Sequence, residues 1–475
     1  MIRLVLALLA AFAIPSPAPT RPAEDPVVWT GTVELPDGMK LDFSVELKKD
    51  SGTISIPLQH AKDMPLSDVA VTDKELKFSI PSVGAVWEMK IAEDGNSATG
   101  VLRQGAELKT TMKRLAAGET AVKELVRSQE AKPPFPYAAV EVQFENKPAG
   151  ATLAGTLSVP QGKGPFPCVV MVTGSGPQDR DEALLGHRPF FVIADHLTRH
   201  GIAVLRYDDR GVAKSTGTFR GATSDDFAED ALAGVEFLKT RKEVDAKHIG
   251  IVGHSEGGLI APICAAKSKD VAFIVLLAGT GMSGAELMPL QSKLISIAAG
   301  VPAAEAELQA QEAAAIYAMM LAGKSEAELK EGIRAAALRQ LKVAPDTKDL
   351  SEAVLKAKAD QVVTEQSGEL LSPWFKRFAA LDPREYLKQV TCPVLAVNGE
   401  KDLQVPPKEN LPRIEKTLKD AGNKDVTVIE FPGLNHLFQT CKTGSPTEYG
   451  QIDETFSPTA LETVTSWIRK RTGLN

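Results

Sequence analysis

At 475 residues the chain exceeds the roughly 250–300 residues at which one hydrophobic core stops growing, and its 43% hydrophobic and 24% charged side chains are those of a globular protein, so at least two folding units are expected. A formal net charge of -7 offers no basic field for phosphates or anionic headgroups, which argues against nucleic acid as a partner. The 4 cysteines stand singly, the 7 histidines are dispersed, and there is no C-x-x-C, H-E-x-x-H or His-rich tract, so neither a disulfide framework nor a metal site is expected.

The first residues, MIRLVLALLAAFAIPSPAPTRPAEDP, place Arg3 before an apolar run from Leu4 to Ile14 and then a Pro, Ser and Ala segment. This pattern predicts a secretory signal over residues 1–23. The run falls short of the ~20 apolar residues that span a bilayer, so export to the periplasm or medium is expected, without stable membrane insertion once the signal is removed. An uncleaved anchor is the alternative. No cysteine lies here to accept a lipid.

From Val27 to Leu115 short alternating segments such as Val27 to Glu34, Leu41 to Leu47, Glu75 to Ile80 and Val86 to Ile91 predict strands. The turn signals Pro36-Asp37-Gly38, Asp50-Ser51-Gly52 and Asp94-Gly95-Asn96 punctuate them. An all-β sandwich or barrel of about eight strands is expected over residues 24–116. A linker at 117–137 follows, helix-compatible around Val122 to Ser128 and then extended through Lys132-Pro133-Pro134-Phe135-Pro136.

Over 138–475 the pattern changes to apolar runs separated by helical stretches: Ala139 to Phe144, Leu153 to Val159, Cys168 to Thr173, Ala203 to Tyr207, Ile249 to Gly253, Ala272 to Leu277, Val394 to Asn398 and Val426 to Phe431. They predict an eight-stranded, mostly parallel sheet with helices on both faces. Cys168 and Cys392, which open two of these runs, read as buried free thiols. Between Gly281 and Trp374 only helical periodicity remains, as in Leu287, Leu290, Leu294 and Ile297, which predicts a helical cap over 282–375. Met288, Met319 and Met320 suit it to adaptable apolar packing.

Ile249 to Gly258 reads IGIVGHSEGG, an apolar strand running into G-x-S-x-G and then a helix-like segment, so Ser255 is the expected nucleophile. Asp402, in NGEKDLQVPP beyond the seventh strand, is the expected acid, with Glu400 as its competitor. His436, after the last strand, is the expected general base. A serine hydroxyl is a poor nucleophile near neutral pH, so it needs an imidazole to take its proton, and the imidazole needs a carboxylate to fix its tautomer. Backbone N–H groups of Glu256 and Ser175, the latter in Thr173-Gly174-Ser175-Gly176-Pro177, are the expected oxyanion donors. The charged stretches Gln178 to Glu182 and Arg206 to Gly211 read as mutually paired Asp and Arg holding the active-site loops.

The segments TGSGPQDRDE, RYDDRGVAKSTG, GHSEGG, SPWFKRFAALDP, NGEKDLQVPP and GLNHLF occur together, and in them the chain resembles the EstD-like carboxylesterases among bacterial α/β-hydrolases, often grouped with the serine aminopeptidase-like hydrolases. The likeness covers about Ala138 to the C-terminus. It implies the α/β-hydrolase fold with a cap, and hydrolysis of small-molecule carboxylic esters, with short acyl chains, through an acyl-enzyme and without a cofactor. It carries nucleophile, acid and base onto Ser255, Asp402 and His436. A departure is Ala213, where relatives often have glycine. A serine peptidase acting on short peptides is the alternative, for which Glu286, Glu305 or Glu312 of the cap would receive a free α-amine.

Overall fold

The computed structural model describes residues 27–474, apart from 36–39, 58–60, 82–83, 105–106, 117–118, 120–126, 345–346 and 348. The expected signal, the Pro36-Asp37-Gly38 turn and most of the expected helix at Val122 to Ser128 lie outside the described residues.

The N-terminal strands are β1 (Val27–Glu34), β2 (Lys40–Leu47), β3 (Gly52–Ile56), β4 (Ala61–Pro65), β5 (Ser67–Val71), β6 (Glu75–Ile80), β7 (Ala85–Ile91), β8 (Ser97–Arg103) and β9 (Glu107–Arg114). Each pairs antiparallel with its sequence neighbour except β4 with β5, and β1 pairs with β9. The first and last strands of the resulting sheet order, β4 and β5, are consecutive in the chain and separated by the single residue Leu66, which among the described residues fits the barrel of the two expected architectures. Counting β4 and β5 as one bent strand gives the expected eight; the structure counts nine because the run is interrupted at Leu66, between Asp63 and Asp68, which both take positive φ. Alternate side chains point inward, and Phe43, Phe78 and Trp87 fill the interior, with Trp87 stacked on Phe78 at 5.1 Å.

The linker differs from a simple spacer. From Arg127 onward it is fastened to the second domain: the Arg127 guanidinium, buried, donates to the carbonyls of Leu185, Gly186 and Gly450 at 3.0, 3.3 and 2.7 Å. Gln129 accepts from the N–H groups of Thr455 and Phe456, and Glu130 pairs with Arg188 at 2.7 Å. Sequence periodicity carries no trace of partners so remote along the chain.

All eight expected strands of the second sheet are present: β10 (Tyr137–Asn146), β11 (Ala151–Pro160), β12 (Phe166–Val172), β13 (Ala203–Tyr207), β14 (Val244–His254), β15 (Phe273–Leu277), β16 (Val394–Gly399) and β17 (Val426–Phe431). Their order is β10-β11-β13-β12-β14-β15-β16-β17; β11 runs antiparallel to both neighbours and the rest are parallel. In β12, Cys168, Val170 and Val172 point into one core and Val169 and Met171 into the other, as a strand buried on both faces must.

Helix α1 (Pro189–Arg199) covers one face, α2 (Ser224–Lys239) and α3 (Glu256–Lys267) the other. The expected cap appears as α4 (Gly284–Ala298), α5 (Ala303–Leu321), α6 (Glu326–Val343), α7 (Glu352–Leu370) and α8 (Pro373–Ala380), with the short α9 (Pro383–Leu387) leading back to β16. Ser283 and Ser325 start α4 and α6 through capping boxes with Glu286 and Glu328. Helix α10 (Pro407–Asp420) joins α2 and α3, and α11 (Pro458–Thr472) joins α1. Cys168 and Cys264 are buried free thiols; Cys392 and Cys441 are free and partly exposed.

Candidate active site

Strand β14 ends at His254 and α3 begins at Glu256, which leaves Ser255 alone in the turn, at φ 54° and ψ -114°. A non-glycine residue rarely takes that conformation, and its strain lifts the hydroxyl above the sheet edge. The glycines of the motif let the helix start crowd the strands: a Cβ on Gly253 would lie 2.0 Å from the Gly257 carbonyl oxygen, and one on Gly257 2.1 Å from that of Val172. Ser255 remains partly exposed while its flanking residues are buried.

Asp402 follows β16 and is buried. Its Oδ1 accepts from the N–H groups of Gln404 and Val405 at 2.8 and 2.9 Å, which turns Oδ2 toward the Nδ1–H of His436 at 2.8 Å. Glu400 instead accepts from the Gly433 N–H at 2.8 Å, so of the two carboxylates it is Asp402 that meets the His436 ring. The His436 loop is held by Asn435, whose side-chain oxygen accepts from the N–H groups of Leu437 and Gln439 at 3.0 and 2.9 Å. With its Nδ1–H given to Asp402, the His436 ring presents a lone pair at Nε2.

His254, which sequence reasoning passed over as the variable residue of the motif, ties the residue before Ser255 to the His436 loop. The His254 ring lies 4.8 Å from the His436 ring, centroid to centroid, and its Nε2–H donates to the His436 carbonyl at 3.0 Å. Its Nδ1 meets Oε1 of Glu182 at 2.9 Å, and the same oxygen accepts the Gly174 N–H at 2.7 Å. Both ring nitrogens of His254 therefore face acceptors, which fits an imidazolium. Burial alone would push His254 down, but Glu182 and the His436 carbonyl outweigh it and hold the ring above its ordinary pKa.

Glu182 is thus an exception to the structural reading of its stretch. The expected mutual pairing holds for two pairs, Arg180 in a forked contact with Asp208 at 3.0 and 2.8 Å and Arg206 with Asp181. By contrast, Arg210 bonds Asp230 of α2 at 2.6 Å, Asp179 accepts from the N–H groups of Asp181 and Ala183, and Asp209 from the Thr173 hydroxyl and the Gln178 N–H. Glu182 instead ties the Gly174 loop to the strand that carries Ser255. A Cβ on Gly174 would come 3.3 Å from the Cβ of Ser255, so this loop passes directly beside the serine.

The Ser175 and Glu256 side chains hydrogen-bond each other. Glu256 is the first residue of α3, where an N–H has no partner within the helix, and its buried carboxylate accepts from the hydroxyl of Ser224 at 2.6 Å and the Trp374 Nε1–H at 2.9 Å. Burial pushes this carboxyl above the ordinary range, against the lowering pull of Ser224, Trp374 and Ser175. Trp374 brings the cap to the serine turn, and Gln291 of α4 reaches Gln404 beside Asp402 at 3.3 Å. Trp374, Phe375, Met288, Tyr317 and Met320 form the cap's apolar interior.

An eight-stranded sheet of this order, with a strained serine after β14 and a carboxylate-bound histidine after β17, defines an α/β-hydrolase. The chain belongs to the serine aminopeptidase S33 family, which matches residues 189–440, just over half of the chain, and so takes in Ser255, Asp402 and His436. Esterase EstD of Thermotoga maritima is 29% identical over 323 residues, 67% of this chain; the chain spans 66% of the length of that relative. Solved structures that align include an esterase of Pyrococcus furiosus, 16% identical with a TM-score of 0.40 over 71% of this chain and 92% of that one. Another is the α/β hydrolase GrgF of Penicillium sp. sh18, 18% identical with a TM-score of 0.42 over 71% of this chain and 100% of that one.

Proposed function

We propose that the protein is a serine carboxylesterase acting on small-molecule esters with short acyl chains, with Ser255 as nucleophile, His436 as general base and Asp402 as its orienting acid. The observation that carries this reading is the buried Asp402–His436 contact at 2.8 Å beside a serine held in a strained strand-to-helix turn. The Ser255 Oγ attacks the ester carbonyl carbon while His436 Nε2 takes its proton. The resulting oxyanion is met by the N–H groups of Glu256 and Ser175. Collapse breaks the bond to the alkoxide, which leaves with the proton from Nε2, and a water then attacks the acyl-enzyme by the same route to release the acid and restore Ser255. The imidazolium of each step is stabilised by Asp402, whose remaining oxygen is fixed by two backbone N–H groups.

The family's aminopeptidase members motivate a second reading, in which the acyl group comes from a peptide. The three cap carboxylates that could receive an α-amine are engaged. Glu286 serves the Ser283 cap and pairs with Arg384, Glu312 bonds Arg339 and Gln340, and Glu305 accepts from Gln309. That favours the esterase. Comparing p-nitrophenyl butyrate with aminoacyl anilides tests it: faster turnover of the ester is expected, and faster turnover of the anilides would reverse the assignment. Export is part of the proposal, carried by Arg3 and the Leu4 to Ile14 run, and cell fractionation that leaves the chain in the cytoplasm would refute it.

A further inference from the structure

Helices α1 and α11 lie side by side on the sheet face opposite α2 and α3, and three side chains meet between them: His196 and His200, one turn apart at the end of α1, and Glu462 on α11. One ligand atom from each lies within 4.8 Å of the others. The two imidazoles face each other at 4.4 Å, and His196 Nε2 stands 3.7 Å from a Glu462 carboxylate oxygen.

The ring orientations are those of ligands. His200 Nδ1 donates to the His196 carbonyl oxygen at 2.7 Å, which leaves Nε2 as the nitrogen that could ligate. A backbone carbonyl on the far nitrogen is how metal-bound histidines are usually oriented. His196 Nε2 is buried and, among the described residues, has no hydrogen-bond partner, an orphaned polar atom that costs free energy as it stands.

We propose that His196, His200 and Glu462 form a binding site for a borderline divalent cation, zinc before others, with water completing its coordination. Imidazole nitrogen and carboxylate oxygen are a donor set for zinc, and hard cations such as magnesium prefer oxygen alone. Ligand atoms around tetrahedral zinc sit about 3.4 Å apart. The site must close slightly, and the Glu462 side chain, 62% exposed and holding the Ser466 hydroxyl on Oε1 at 2.9 Å, would swing inward to bind. The cation would clamp α1, which follows the Ser175 loop, to α11, which follows the His436 loop, and so stabilise the fold by mass action. The expectation of no metal site rested on missing H-E-x-x-H and Cys patterns and did not weigh the four-residue spacing of His196 and His200.

Titration of the metal-free full-length protein with zinc chloride, followed by calorimetry and by thermal midpoint, tests this. One ion per chain is expected, with a midpoint that climbs with zinc and ignores magnesium. His196→Gln and His200→Gln should each weaken binding beyond the ~10–100-fold that losing an outer partner costs, and the exposed Glu462→Gln should weaken it without affecting the fold. Absence of saturable binding, an equal response to magnesium, or zinc binding retained in all three variants would each overturn the proposal.

Discussion

Replacing Glu182 by Gln isolates the ion pair behind the serine turn. In the native protein the carboxylate accepts two buried donors, the Gly174 N–H at 2.7 Å and His254 Nδ1 at 2.9 Å, and breaking a buried ion pair outright costs ~3–5 kcal/mol. His254 can shed its proton, however, and a neutral ring accepting from the Gln amide leaves Nε2–H on the His436 carbonyl. The cost then falls to about that of one charge-assisted hydrogen bond, ~1.5–3 kcal/mol. Because the folded pKa of His254 is raised above 6.5, the stability it contributes is complete below the unfolded value and is lost as pH rises through the folded one. The deficit of Glu182→Gln should therefore be largest near about pH 5.5 and shrink toward about pH 9. Urea denaturation of both proteins at the two pH values, with turnover of p-nitrophenyl butyrate alongside, reads this directly. A deficit that does not change with pH, or a variant as stable as the wild type at the lower value, refutes a charged His254.

Asp402→Asn should leave the fold intact while lowering kcat by about 10⁴, the size seen when the orienting carboxylate of a serine protease triad becomes an amide. Steady-state kinetics check it, and a loss under tenfold would remove Asp402 from the mechanism. Ala213 takes φ 44°, a conformation that suits glycine and costs alanine ~1–2 kcal/mol, against ~0.5–1 kcal/mol of added chain entropy for glycine. Ala213→Gly should thus raise stability by roughly 0.5–1 kcal/mol in chemical denaturation, and a destabilised variant would contradict the assignment of strain.

The eight-stranded sheet and its cap could be read from the sequence because buried parallel strands are uninterrupted apolar runs and the cap lacks them. Ser255, Asp402 and His436 could be placed because each follows a strand, where the sheet's parallel ends converge. His254 and Glu182 could not. His254 fills a position where the motif tolerates any residue, and Glu182 ends a run of charges in which Arg180 and Asp181 do form Asp–Arg pairs. Glu182 takes a positive φ, 52°, and no local sequence pattern specifies that. The docking of Arg127 was hidden for a related reason: its acceptors are backbone carbonyls as far away as Gly450, and carbonyls carry no sequence signature.

Intact-protein mass after treatment with a fluorophosphonate probes the reacting oxygen itself. The wild type should gain one phosphonyl group, mapped by peptide digestion to Ser255, while Ser255→Ala gains none and His436→Ala reacts far more slowly. Undiminished labelling of Ser255→Ala, or equal rates for the wild type and His436→Ala, would show that this serine and this histidine do not act on one another.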